Sequence, residues 1–136
     1  MSRDESTDVS AAVAEAIGKS DYDALNRLMA PELAAEFGQG LRTLKQAFPD
    51  YAGVNEVYIV EGEYVVSRWV YHGTHHGTFV GIPPSGKRIR FTGISIDRVV
   101  DGKIVETATE MDMLGVLRQL GATEIPDEDP FDETSA

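Results

Sequence analysis

The 136-residue sequence contains no cysteine. Disulfides, iron–sulfur clusters, thiol nucleophiles and Cys-based zinc sites are therefore excluded. Basic residues are scarce: 12 Lys and Arg stand against 23 Asp and Glu, a formal net charge of -11. A surface of that sign repels phosphates, which argues against nucleic acid or an anionic membrane surface as the main partner. No apolar run approaches the roughly 18 residues of a membrane span. The opening MSRDESTD lacks the basic-then-apolar design of a signal peptide. A soluble cytoplasmic protein is the expectation. P-loop, GxGxxG, HExxH and GxSxG patterns are also missing, so nucleotide, metalloprotease and serine-hydrolase readings have no support. What remains is enough chain for one globular domain, whose core buries roughly two-thirds of the surface the unfolded chain exposes.

The acid excess is uneven. Glu124, Asp127, Glu128, Asp129, Asp132 and Glu133 lie in 124–136 with no base among them, while 9–123 carries only -3. The end also holds Pro126 and Pro130 and few apolar residues. Such a segment cannot bury enough surface to offset its ordering entropy. The expected organisation is a flexible start (1–8), one domain (9–123) and an acidic mobile tail (124–136). Phe131 among the acids is a possible small anchor for a partner.

Val9, Val13 and Ile17 make one helical stripe. Ser20, three before Asp23, reads as the N-cap of a second helix with Leu25, Leu28 and Met29 on its apolar face. Pro31 ends it and opens PELAAEF. Gly38 and Gly40 predict a break before a further helix marked by Leu41, Leu44 and Phe48, ended at Pro49. The pattern then changes. Residues 54–61, 64–74, 87–100 and 103–113 are rich in Val, Ile, Thr and aromatics, with partial alternation. Glu61-Gly62-Glu63, Pro83-Pro84-Ser85-Gly86 and Asp101-Gly102 between them are turn chemistry. A last short helix spans 114–120, with Gly121 as its stop. Helices followed by an antiparallel meander form an α+β plan. A curved sheet with helices on its concave face encloses a cavity, and Gly73 and Gly93 are candidate bend points.

Gly73-Thr74-His75-x-Gly77-x-Phe79-x-Gly81-Ile82-Pro83-Pro84-Ser85-Gly86 resembles the GTHxGxFxGIPPTG signature of SnoaL-like polyketide cyclases. Phe91-Thr92-Gly93-Ile94, Arg98 to Glu106, and Asp112-x-Leu114-Gly115-x-Leu117-Arg118-Gln119-Leu120-Gly121 look like the rest of it. DYDALNRLMAPEL (21–33) is similar to the family's second helix. The match runs in order over about residues 10–121. It implies the nuclear transport factor 2-like fold, an α+β cone with N-terminal helices on the concave face of its sheet. It also implies cofactor-free, metal-free chemistry on a hydrophobic carbonyl compound, with aldol closure of a polyketide ester ring as the specific case. A lyase or isomerase using the same proton abstraction is the nearest alternative, and a non-catalytic binder is the rival from another class. Relatives dimerise through the sheet, so the resemblance implies a homodimer. This chain departs from the pattern at AAEFGQG (34–40) and TATEMD (107–112), which changes the pocket wall.

By the same resemblance the family acid/base falls on Asp112, facing the pocket, and His75 belongs to the signature. Alternation puts Ala108, Glu110 and Asp112 on one face of the last strand, and Thr107, Thr109, Met111 and Met113 on the other. Burial and mutual repulsion would then raise the pKa of at least one of the two carboxyls. That suits a base taking a carbon-bound α-proton. The other reading solvates both at the mouth. Arg98 shares parity with Arg90, Thr92, Ile94 and Ile96; facing inward it would pair with Asp112 or stabilise an enolate, and outward it is a surface charge. His75 is a pocket donor or a structural residue holding the bend. His72, His75 and His76 lie close in sequence, but opposite parity argues against a metal site. Trp69 is a wall for a planar ligand or core filling, and Tyr58, Phe79, Phe91 and Met111 are further pocket candidates.

Overall fold

The structure, a computed structural model, describes residues 3–127. The order is α1 (Arg3–Lys19), α2 (Tyr22–Leu28), α3 (Pro31–Ala47), β1 (Ala52–Glu61), β2 (Tyr64–Thr74), β3 (Arg88–Val100), β4 (Lys103–Met111) and α4 (Met113–Gln119). The expected sequence of helices, meander and closing helix is therefore present. The acidic segment from 128 onward lies outside the described residues.

The helices differ from expectation in three places. α1 begins at Arg3, so residues 3–8, expected to be flexible, are helical. Asp4 and Glu5 favour that end of the helix dipole. The buried stripe of Val9, Val13 and Ile17 continues upstream through Ser6, 2% exposed, whose polarity hides it from a hydropathy reading. The α2 N-cap is Asp21 rather than Ser20: its carboxylate accepts the Ala24 N–H at 3.0 Å. α3 runs unbroken through Gly38 and Gly40. Two glycines in a helix cost about 1 kcal/mol each relative to alanine. Burial of Ala34, Leu41, Leu44 and Ala47 on one face outweighs that. The Arg42 guanidinium of α3 stacks 4.0 Å over the Tyr22 ring of α2.

The four strands form one antiparallel sheet in the order β1-β2-β3-β4. At the β3–β4 hairpin Asp101 (φ 49°) and Gly102 (φ 79°) are both left-handed, as a tight two-residue turn requires. The register then sets Ser67 opposite Ser95 and Ser95 opposite Thr109, with Asp97 opposite Thr107. Over residues 94–97, β3 is inverted relative to the usual apolar-in pattern that Ile89, Phe91 and Val99 keep. Ser95 and Asp97 face the helices, while Ile94 and Ile96 stand 48% and 46% exposed on the outer face. That outer face also carries Val54 and Ile59.

The segment from Gly73 to Gly86 is a folded loop. His76 and Gly77 donate their N–H groups to the Ala47 carbonyl at the end of α3, at 2.9 and 3.1 Å. Phe79 and Ile82 bond each other through their backbones. The loop closes over Phe48, whose ring touches His75, Phe79 and Phe91 at centroid distances of 5.5, 5.1 and 5.0 Å.

Candidate functional site

A cavity of about 730 Å³ lies between the inner face of the sheet and helices α1 and α3. Its walls are mostly apolar: Val13 and Ile17 from α1, Leu33, Phe37, Leu41 and Leu44 from α3. Tyr51, Trp69 and Tyr71 supply aromatic surface. Tyr51 and Tyr71 stack at 4.8 Å, and Trp69 meets Tyr71 edge-on at 5.5 Å. Burial pushes both phenols well above their usual pKa, so they remain protonated donors at neutral pH.

The floor of the cavity is polar, and the register explains its layout. One row crosses the sheet as Asn55, Trp69, Gly93 and Met111. The next holds Ser67, Ser95 and Thr109, and the third holds Asp97 and Thr107. The Trp69 Nε1–H donates to Ser95 Oγ at 2.9 Å, and Ser95 Oγ meets Thr109 Oγ1 at 2.8 Å. Thr107 Oγ1 donates to Asp97 Oδ1 at 2.6 Å. Asp97 is 8% exposed and is the only buried carboxylate among the described residues. Burial raises its pKa, and the Thr107 hydroxyl opposes that rise. On α1, the buried Ser10 hydroxyl lines the same cavity and has no hydrogen-bond partner among the described residues.

The structure brings Trp69 and Met111 to this cavity and places the other sequence candidates elsewhere. Asp112 sits where β4 turns into α4. Its carboxylate is exposed, caps α4 by accepting the Gly115 N–H at 2.8 Å, and is not part of the cavity wall. Glu110 faces the opposite way from the cavity, paired with Ile94. The reason is the inverted alternation: Thr107, Thr109 and Met111 point inward, so their neighbours point out. Arg98 is on the outer face too, bonded to Glu63 at 3.0 Å and Glu106 at 2.9 Å, with no contact to Asp112. Exposed pairs of this kind contribute little to stability.

His75 is fully buried outside the cavity. Its Nδ1 lies 2.8 Å from Ser85 Oγ and accepts the Ser85 N–H at 3.2 Å. Burial lowers its pKa, against weaker pulls from the Ile82 and Gly77 carbonyls. It serves as a neutral strut for the loop. Phe79 and Phe91 pack in the aromatic cluster around Phe48. Tyr58 reaches the cavity only indirectly, through its hydroxyl accepting Asn55 Nδ2–H at 3.1 Å. Among the described residues, no three His, Asp or Glu side chains converge as metal ligands, and no helix is long and apolar enough to cross a membrane.

Ser67, Ser95, Asp97, Thr107 and Thr109 were not singled out from the sequence. Counting outward from Asp101-Gly102 would have paired Asp97 with Glu106 and Ser95 with Ala108. An irregularity between Arg98 and Val99 shifts the register by one residue and brings Asp97 opposite Thr107 and Ser95 opposite Thr109, and no residue type in the sequence marks that shift.

A curved antiparallel sheet, closed by N-terminal helices over an apolar cavity with a polar floor, defines an α+β cone. The family model for SnoaL-like polyketide cyclases matches residues 7–120, and the chain belongs to that family. It is 37% identical over 94 residues to the aklanonic acid methyl ester cyclase DnrD of Streptomyces peucetius, covering 67% of this chain and 65% of that protein. It is also 37% identical over 86 residues to the nogalonic acid methyl ester cyclase of Streptomyces nogalater, covering 62% and 64%. The match thus spans a little under two thirds of each of these relatives' length. The solved structure of TsrD from Streptomyces laurentii superposes with a TM-score of 0.82 at 26% identity, over 90% of this chain and 98% of that one.

Proposed function

We propose that this protein is a cofactor-independent cyclase, closing a ring in a polyketide-derived ester by intramolecular aldol addition. The observation that carries the reading is the cavity: about 730 Å³, walled by Tyr51, Trp69 and Tyr71, with most of its polar groups on the sheet floor. That volume is in the range of sites for drug-sized ligands. Aromatic walls suit a flat fused-ring substrate, and the largely apolar lining suits a hydrophobic one. The cyclase relatives named above support the same reaction class.

The test is incubation with aklanonic acid methyl ester and nogalonic acid methyl ester, the compounds those relatives are named for. Ring closure by aldol addition is an isomerisation, so the expected product has unchanged mass and a new chromatographic retention. Tight binding of both esters without product would instead identify a carrier and overturn the enzyme reading.

The outer face of the sheet supports a homodimer. Ile59, Val66, Ile96 and Ala108 form a row across all four strands. Ion pairs of Arg68 with Glu56 and of Arg98 with Glu63 and Glu106 flank it. Exposed apolar groups framed by charge are typical of association surfaces. Light scattering should give twice the 14.8 kDa chain mass, and Ile96→Glu should halve it. A monomeric wild type would refute the dimer.

A further inference from the structure

We infer that Asp97 is the catalytic base of the proposed ring closure, taking the carbon-bound α-proton of the substrate, and that Asp112 is not. The inference rests on the cyclase reading and deepens it. A base must reach the reacting carbon inside the cavity. Asp97 Oδ1 is held by Thr107, while its second oxygen takes no hydrogen bond from any described residue. The carboxylate lines the cavity at the end of the polar floor. No cation pairs with it among the described residues. The titratable groups sharing the cavity wall are the exposed Glu36 of α3 and the phenols of Tyr51 and Tyr71. Asp112 by contrast is exposed and committed to the α4 N-terminus.

The step balances without any other reactant. Asp97 takes the proton, and the C–H electron pair moves into the enolate. The enolate carbon attacks the second carbonyl carbon, forming the new C–C bond, and that carbonyl's π pair becomes an alkoxide. The proton on Asp97 returns to the alkoxide, so the carboxylate is regenerated. Ser67 is placed to donate to the enolate oxygen. It is 3% exposed, lines the cavity and lies diagonally across the β2–β3 pair from Asp97, roughly 7–8 Å away at the backbone. Its hydroxyl donates to no described residue. Ser95 and Thr109 already bond each other. Burial supports the role, since the raised pKa of Asp97 strengthens it as a base.

The experiment compares wild type, Asp97→Asn, Asp97→Glu and Asp112→Asn on aklanonic acid methyl ester. Asp97→Asn should lower kcat about 100-fold or more with little change in KM, and Asp112→Asn should stay within about tenfold of wild type. Wild-type kcat should rise with pH through an ionisation above the usual carboxylate range. That limb should survive at reduced kcat in Asp97→Glu and vanish in Asp97→Asn. Asn can still accept the Thr107 hydroxyl, so folding is expected to persist.

Stability supplies a control with a definite sign. The native carboxyl holds its proton to higher pH than the unfolded one, so wild-type stability falls as pH rises from the unfolded value through the raised native one. Asp97→Asn should lack that fall. Near-wild-type kcat in Asp97→Asn, or a 100-fold loss confined to Asp112→Asn, overturns this inference alone. A wild type that turns over neither ester overturns the cyclase reading with it. If Asp97→Asn fails to fold, the pH limb of Asp97→Glu decides, its absence counting against Asp97.

Discussion

Phe48→Ala should lower the stability of the protein by about 3–5 kcal/mol, the usual cost of emptying a buried phenylalanine site. Phe48 is 0% exposed and is the hub of the aromatic cluster. Its ring supports His75 and Phe79 of the loop on one side and Phe91 of β3 on the other. Phe91 in turn packs edge-on against Tyr51 at 5.1 Å, which is a cavity wall. The site also cannot collapse easily. Gly73 lies so close that a Cβ there would stand 2.8 Å from Phe48 Cβ, and the loop is pinned to the Ala47 carbonyl. Domains of this size have only about 5–15 kcal/mol in total. The loss should appear as a fall in Tm of roughly 10–20 °C and a lower denaturant midpoint with unchanged slope. A loss below about 1 kcal/mol would show that the loop does not depend on this ring.

The second large effect is expected at Gly93→Ala. Gly93 faces Trp69 across the β2–β3 pair, and the indole lies over its bare Cα. An added Cβ would collide with the Trp69 ring and come within 2.6 Å of the Glu110 carbonyl oxygen. Neither obstacle is the loose end of a flexible chain. Overpacking of this kind costs about 1–3 kcal/mol. It should also move the indole off Ser95 Oγ and so reshape the cavity wall. Denaturant unfolding measures the first effect and a raised KM for the methyl esters measures the second. Wild-type stability together with wild-type KM would mean that the sheet accommodates the methyl group, and that the glycine is not required for the wall.

These two residues also mark what the sequence makes legible. The order of elements followed from periodicity and turn chemistry, because each helix stripe and each Gly turn is local. The cavity's existence followed from the resemblance and from the curved-sheet plan. The site did not follow so directly. Its face on β4 was set by the resemblance, which turned Asp112 toward the pocket and Glu110 with it by alternation, whereas Thr107, Thr109 and Met111 take that face. Ser95, Asp97, Thr107 and Thr109 line a cavity that is not filled by side chains, so a polar group there need not be sealed in apolar packing. Ile94 and Ile96 take the outer face by the same alternation. That one parity displaced Asp112 and Glu110 together, while of the two readings of Arg98 the outward surface charge is the one that fits.

Of the two readings of His75, a pocket donor or a residue holding the bend, the second fits its place: its Nδ1 bonds Ser85 within the loop. The most specific motif in the chain suggested chemistry, whereas its hydrogen bonds hold the loop against α3. The continuous α3 was hidden because two glycines outweigh four buried residues only when tertiary contacts are ignored.

The position of Trp69 has an optical consequence. It is the chain's only tryptophan and it forms part of the cavity wall. The protein therefore carries a single indole, which can be excited apart from its tyrosines, at the place where a substrate would lie. A quinone-like ligand entering the cavity would quench that emission directly, so occupancy can be followed in the unmodified protein, separately from turnover.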